Sequence, residues 1–220
     1  MAKAYLIPGL GNDIRIFSRL IPLLLEQDID CLEYLEPLSV KESMESYAQR
    51  LVDGISDLEE PPVLIGMSMG GAVATEMAKR MPHRKLILIS TFKHQTEVPF
   101  LFKIARKIPL YRLIPAWYIR TMLPLFAWIL RICTKEESNL LKLMLRARSA
   151  AHFAWGREAV VHWDNVDYPT QFIHINGTKD HIFKQANKQA SHLIKGGTHN
   201  MVLDRAEEIA KIINKEAFEI

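Results

Sequence analysis

Between residues 4 and 90, short apolar runs alternate with stretches of helical periodicity. Ala4-Tyr5-Leu6-Ile7, Asp30 to Leu35, Val63-Leu64-Ile65 and Lys85 to Ser90 read as strands. The helical patterns between them are Ile14 to Glu26, Ser43 to Ile55 and Gly70 to Arg80. A strand that carries no polar face must be covered on both sides. Strand, helix, strand, helix therefore predicts a parallel sheet with helices on both faces, an α/β architecture. The pattern resumes at Thr170 to Ile175 and Ala190 to Ile194, and a terminal helix is expected from Arg205 to Lys215.

In between, from Phe92 to about Asp164, strand signals vanish. The segment is helical, cut by Pro99, Pro109, Pro115 and Pro124. Thr134-Lys135-Glu136-Glu137 has capping-box spacing, and a further helix is expected from Ser149 to Trp163. Charge marks the same segment. Residues 92–163 hold twelve Lys/Arg against four Asp/Glu, whereas the rest of the chain holds sixteen against twenty-one. The expected division is a core of residues 1–91 and 165–220, with residues 92–164 inserted after the fourth strand as a helical cap. Such a cap would sit at the C-terminal edge of the sheet, where open α/β sheets place their ligands.

Composition removes other classes. With 49% apolar and 24% charged residues in a chain of 220, one sizeable core is affordable and disorder is excluded as the main state. Two cysteines, Cys31 and Cys133, cannot make a disulfide framework or a structural zinc site by themselves. The start lacks the apolar core of a signal peptide and no long uncharged run is present, so the expected location is cytoplasmic.

Gly66-Met67-Ser68-Met69-Gly70-Gly71 lies between the strand Val63–Ile65 and the helix after it. This is G-x-S-x-G in strand–turn–helix context, in which a tight turn lifts a serine hydroxyl off the sheet toward a helix N-terminus. A glycine-rich turn that only packs closely would carry the same letters, so the partners matter. A serine hydroxyl needs a base. Of the eight histidines, His83 ends a helix, His94, His152 and His162 belong to the basic segment, and His174 and His192 lie within strands; His181 directly follows Asp180. His199 follows Lys195-Gly196-Gly197-Thr198 after the last strand, at the edge where Ser68 emerges. The base needs a carboxylate. Asp180 follows the strand Gln171–Ile175 at that edge, while Ser90-Thr91-Phe92 after the fourth strand offers no acid; Asp164 and Asp167 are weaker rivals.

These pieces resemble the α/β-hydrolase fold serine hydrolases over nearly the whole chain. Asn176-Gly177-Thr178-Lys179-Asp180-His181-Ile182-Phe183 is similar to that family's acid loop, and Gly196-Gly197-Thr198-His199 to its histidine loop. The order Ser, Asp, His agrees. The resemblance implies Ser68 as nucleophile, Asp180 as acid and His199 as base. It also implies an oxyanion hole from the backbone N–H groups of Met69 and Leu10. Pro8-Gly9 stands where the family commonly has His-Gly, which loosens the choice of Leu10 over Gly9 or Gly11. The antiparallel strands that open larger members are not expected here.

The implied reaction is hydrolysis of a small or medium carboxylic ester through an acyl-enzyme, with no cofactor and no metal. Thioester, amide or carbon–carbon hydrolysis uses the same fold and triad, and a non-catalytic binding protein is the reading from another class. The expected partner is a small-molecule ester. Nucleic acid is not expected, because no motif accompanies the positive charge. The segment Phe100 to Leu130 mixes large apolar groups, Phe126 among them, with basic ones that run on to Arg131, so weak peripheral contact with an anionic membrane is a further expectation.

Overall fold

A computed structural model describes residues 3–25, 28–55, 58–129 and 133–218. Six strands form one parallel sheet: β1 (Ala4–Ile7), β2 (Ile29–Cys31), β3 (Val63–Met67), β4 (Lys85–Ile89), β5 (Phe172–Gly177) and β6 (His192–Ile194). Their order is β2-β1-β3-β4-β5-β6. Ala4 pairs with Val63, Val63 with Lys85, and Leu86 with Phe172, so the strands that carry the candidate loops end at one rim.

The pleat sorts the strand residues into two layers. Leu6, Ile65, Met67, Ile87, Ile89 and Ile175 face one side. There they meet helices α7 (Met201–Asp204) and α8 (Ala206–Ile213). Tyr5, Ile7, Leu64, Leu86 and Leu88 face the other, against α1 (Met44–Asp53) and α2 (Met69–Ala78). Burial on both faces explains why these runs carry no polar alternation.

Helices α3 (Phe100–Lys107), α4 (Ala116–Ile129), α5 (Lys135–Ala147) and α6 (Ala150–His162) lie between β4 and β5. The capping box at Thr134 and Glu137 forms as the spacing predicts. The block reaches both layers: Met144 of α5 joins the α7–α8 side, and Trp155 of α6 the α1–α2 side. Trp155 is fully buried, stacks on Tyr47 with 4.0 Å between ring centroids, and donates its indole N–H to the Glu42 carbonyl at 3.0 Å.

One expectation fails. The stretch from Ile14 is two short 3₁₀ turns, Ile14–Phe17 and Ile21–Leu23, instead of a single helix, and Glu26 lies outside the described residues. Pro22 has no N–H for the Ser18 carbonyl, so an α-helical ladder cannot cross it. Phe17, Leu20 and Leu24 are buried nonetheless, which is why the apolar spacing looked helical. The second strand is also shorter than Asp30 to Leu35 suggested.

The turn between β3 and α2 depends on close backbone approach. A Cβ at Gly70 would lie 2.1 Å from the Ile7 carbonyl oxygen, and one at Gly66 would lie 2.3 Å from the Gly70 oxygen. At Gly54, which ends α1, the nearest such atom is 3.5 Å away and φ is −83°. Gly70→Ala is therefore expected to destabilise by about 3 kcal/mol or more. Gly54→Ala is expected to stabilise by about 0.4–1 kcal/mol. Thermal unfolding of the two variants checks the opposite signs.

Candidate active site

Ser68 occupies the turn between β3 and α2 with φ 53° and ψ −123°, a conformation that L-residues rarely hold. Three bonds fix it. Its N–H donates to the Ile89 carbonyl at 3.0 Å, and its carbonyl accepts the Gly71 N–H at 2.9 Å and the Thr91 hydroxyl at 2.7 Å. The Ser68 residue remains partly exposed.

Asp180 and His199 come from loops after β5 and β6. These loops are joined before either side chain acts. The Lys179 N–H donates to the Gly197 carbonyl at 2.9 Å, the Thr178 N–H to Ile194 at 3.0 Å, and the Gly196 N–H to the Thr178 hydroxyl at 2.8 Å. Gly177 permits this contact, since a Cβ there would lie 2.1 Å from the Gly197 oxygen.

The three side chains meet. His199 Nδ1 is 2.9 Å from Asp180 Oδ2, and His199 Nε2 is 3.1 Å from Ser68 Oγ. The other Asp180 oxygen accepts the N–H groups of Ile182 at 2.8 Å and Phe183 at 3.1 Å. Burial pushes the Asp180 carboxyl up. The charge and hydrogen bond of His199, with the two backbone donors, outweigh it and hold the group below the usual carboxylate range. An ionised Asp180 accepts Nδ1–H, which leaves the Nε2 lone pair free to accept the Ser68 proton. The Phe183 ring lies 5.5 Å from the His199 ring and covers its flank.

Met69 follows Ser68 as the first residue of α2, and Leu10 follows Gly9, where a Cβ would lie 3.1 Å from Ser68 Cβ. Among the described residues, neither N–H donates to a backbone acceptor outside the helices and strands. Helix α6 lies against both: a Cβ at Gly156 would meet Leu10 Cδ1 at 2.4 Å and Met69 Sδ at 3.0 Å. The Leu10 loop is held from outside. The Tyr34 hydroxyl donates to the Pro8 carbonyl, and Arg148 Nη2 donates to the Asn12 carbonyl at 2.9 Å.

The rivals are elsewhere. Asp164 pairs with Arg106 at 3.3 Å, and Asp167 is exposed. His83 Nδ1 lies 3.2 Å from the Met81 carbonyl, His94 accepts the Thr96 N–H, His162 lies 3.3 Å from Glu158, His192 3.7 Å from Glu216, and His181 is exposed. His152 and His174 are buried. Sequence reasoning missed Thr91, Tyr34 and Arg148 as supports of the site. Of these, Thr91 carried a signal, its place two residues after the end of β4.

A family model described as "Alpha/beta hydrolase family" matches residues 5–212. No curated protein sequence matches the chain. Among solved structures it is similar to an esterase from Thermogutta terrifontis, at 18% identity and TM-score 0.68, covering 98% of this chain and 89% of that one. It is also similar to an enol-lactonase from Burkholderia xenovorans, at 16% identity and TM-score 0.72, covering 100% and 92%. A meta-cleavage product hydrolase from Pseudomonas fluorescens shares 15% identity with TM-score 0.69, covering 98% and 90%.

The buried histidines give a pH prediction. Burial, then the Lys93 charge, lowers His174 to about 4, and burial, then Arg148, lowers His152 to about 4. The unfolded chain titrates these groups near 6.5, so it takes up protons first as pH falls. Their contribution is complete above about pH 6.5 and is lost toward pH 4, by about a few kcal/mol in total. Urea midpoints across that range are expected to fall with pH, and less steeply in His174→Gln. A flat profile would contradict the burial of neutral imidazoles.

Proposed function

The chain belongs to the alpha/beta hydrolase family, and on that premise we propose that it is a serine hydrolase cleaving carboxylic esters of small or medium acyl groups. The carrying observation is the continuous hydrogen-bonded line from Ser68 Oγ through His199 to Asp180. A positive φ at Ser68, held against its cost by flanking bonds, supports a catalytic role over a binding one, because binding alone does not require the hydroxyl to stand out from the turn.

In the proposed reaction Ser68 Oγ attacks the ester carbonyl carbon, and its proton passes to His199 Nε2. The carbonyl electron pair moves onto oxygen, where the Met69 and Leu10 N–H groups receive it. Collapse restores the carbonyl and breaks the bond to the alcohol, which leaves with the proton from His199. Water then adds to the acyl-enzyme as His199 takes its proton, and the acid departs with Ser68 restored. Asp180 stays ionised throughout and stabilises the imidazolium. One oxyanion donor contributes about 3–4 kcal/mol to such a step. Residues 92–164 are proposed as the cap that bounds the acyl site, because α6 lies over Leu10 and Met69. Thioesters, amides and carbon–carbon bonds call on the same groups, so relative turnover on matched substrates ranks the bond type.

Hydrolysis of a p-nitrophenyl ester series tests the reading. The wild type is expected to turn over short and medium chains, and Ser68→Ala to abolish turnover. Asp180→Asn is expected to lower kcat by about 10⁴-fold with unchanged circular dichroism. A fully active His199→Ala would overturn the assignment of the base.

A further inference from the structure

Helix α3 is built outward. A 100° step per residue places Phe100, Leu101, Lys103, Ile104 and Lys107 within one arc of roughly 160°, with Ile108 continuing it. Phe102, Ala105 and Arg106 share the opposite arc. Phe102 packs on Phe92 and Phe183, at centroid distances of 6.4 and 6.2 Å, and Arg106 Nη2 donates to the Trp163 carbonyl at 2.9 Å. The outward arc is the apolar one. Phe100 is 66% and Leu101 73% exposed, and the chain continues in kind with Leu113 at 78% and Trp117 at 65%. A single exposed leucine needs no explanation, but a helix that turns its large apolar groups to the outside does.

The charge on this face has one sign. No Asp or Glu occurs from Val98 to Thr134. Arg106 and Arg112 are tied to Asp164 and Glu158 of the α6 region. Lys103 and Lys107 make no ion pair among the described residues and flank the apolar side of the arc. Among the described residues, no helix is long and apolar enough to cross a membrane. Large apolar groups edged by free lysines on a short helix match a bilayer interface bearing anionic headgroups: the rings and leucines enter the acyl boundary while the ammonium groups stay with the phosphates.

We propose that this chain docks on anionic membrane surfaces through the outward face of α3 and the following segment to Trp117. A second copy fits less well, because a two-fold contact pairs this face with itself, and residues 98–134 hold no Asp or Glu to meet Lys103 and Lys107. The docking face is the back of the helix whose inner residue Phe102 touches Phe183, which in turn covers His199. Docking and catalysis are nonetheless separable, and the test needs no turnover.

The test is co-sedimentation with phosphatidylcholine vesicles, with and without about 30% phosphatidylglycerol, a charge density that gives a surface potential of tens of millivolts. The wild type is expected to bind the anionic vesicles alone and to release at about 1 M salt, where the Debye length is near 3 Å. Lys103→Glu with Lys107→Glu, and separately Leu101→Ser with Leu113→Ser, should each lower partition at least about tenfold. Both pairs sit on the exposed side, so unfolding temperature should be unchanged. Equal binding to neutral vesicles, no binding to either, or full binding by the lysine variant would overturn the proposal. So would a concentration-dependent dimer that the leucine variant abolishes, which would make the face a contact between copies.

Discussion

The rest of the site depends on how closely α2 approaches β1 and β3 at the Ser68 turn. Gly70 lies against the carbonyls of Ile7 and Pro8, and Gly66 against Gly70, so no side chain fits between strand and helix there. That contact forces the sharp reversal, and the reversal puts Ser68 at φ 53°. Backbone strain of this kind costs about 1–3 kcal/mol and persists only where neighbours over-determine it. Here the Ile89 carbonyl, the Gly71 N–H and the Thr91 hydroxyl do so.

A parallel sheet then does the gathering. Ser68, Asp180 and His199 are far apart in the chain, yet each follows the C-terminal end of a strand, so one register places all three at one rim. The helical block adds constraint from above. Arg148, at the end of α5, holds the Asn12 carbonyl, and Tyr34 holds Pro8, so the loop that offers Leu10 is tied at two points. The exposed side of that block is separate in chemistry from its inner side, which is where the proposed membrane contact and the proposed ester site divide.

Legibility in the sequence followed the range of the interaction. The strands, the Ser68 turn and the loops of Asp180 and His199 were readable because local letters specify them: buried apolar runs, glycines and an acid after a strand. The single helix expected from Ile14 was not, because burial of Phe17, Leu20 and Leu24 imitates helical spacing while Pro22 forbids the ladder. Arg148, Tyr34 and Trp155 were illegible for a different reason. Their partners Asn12, Pro8 and Glu42 are set by how α5, α6 and the loop after β2 come together, which no short pattern encodes.

The central claim is that Ser68 carries an activated hydroxyl. Reaction with a fluorophosphonate, followed by peptide mass mapping, addresses it most directly. The account predicts a single phosphonyl adduct on the peptide containing Ser68, formed in the folded wild type and absent from Ser68→Ala and from heat-unfolded protein. An unmodified Ser68 under conditions that label a known serine hydrolase, or an equal adduct after His199→Ala, would contradict it.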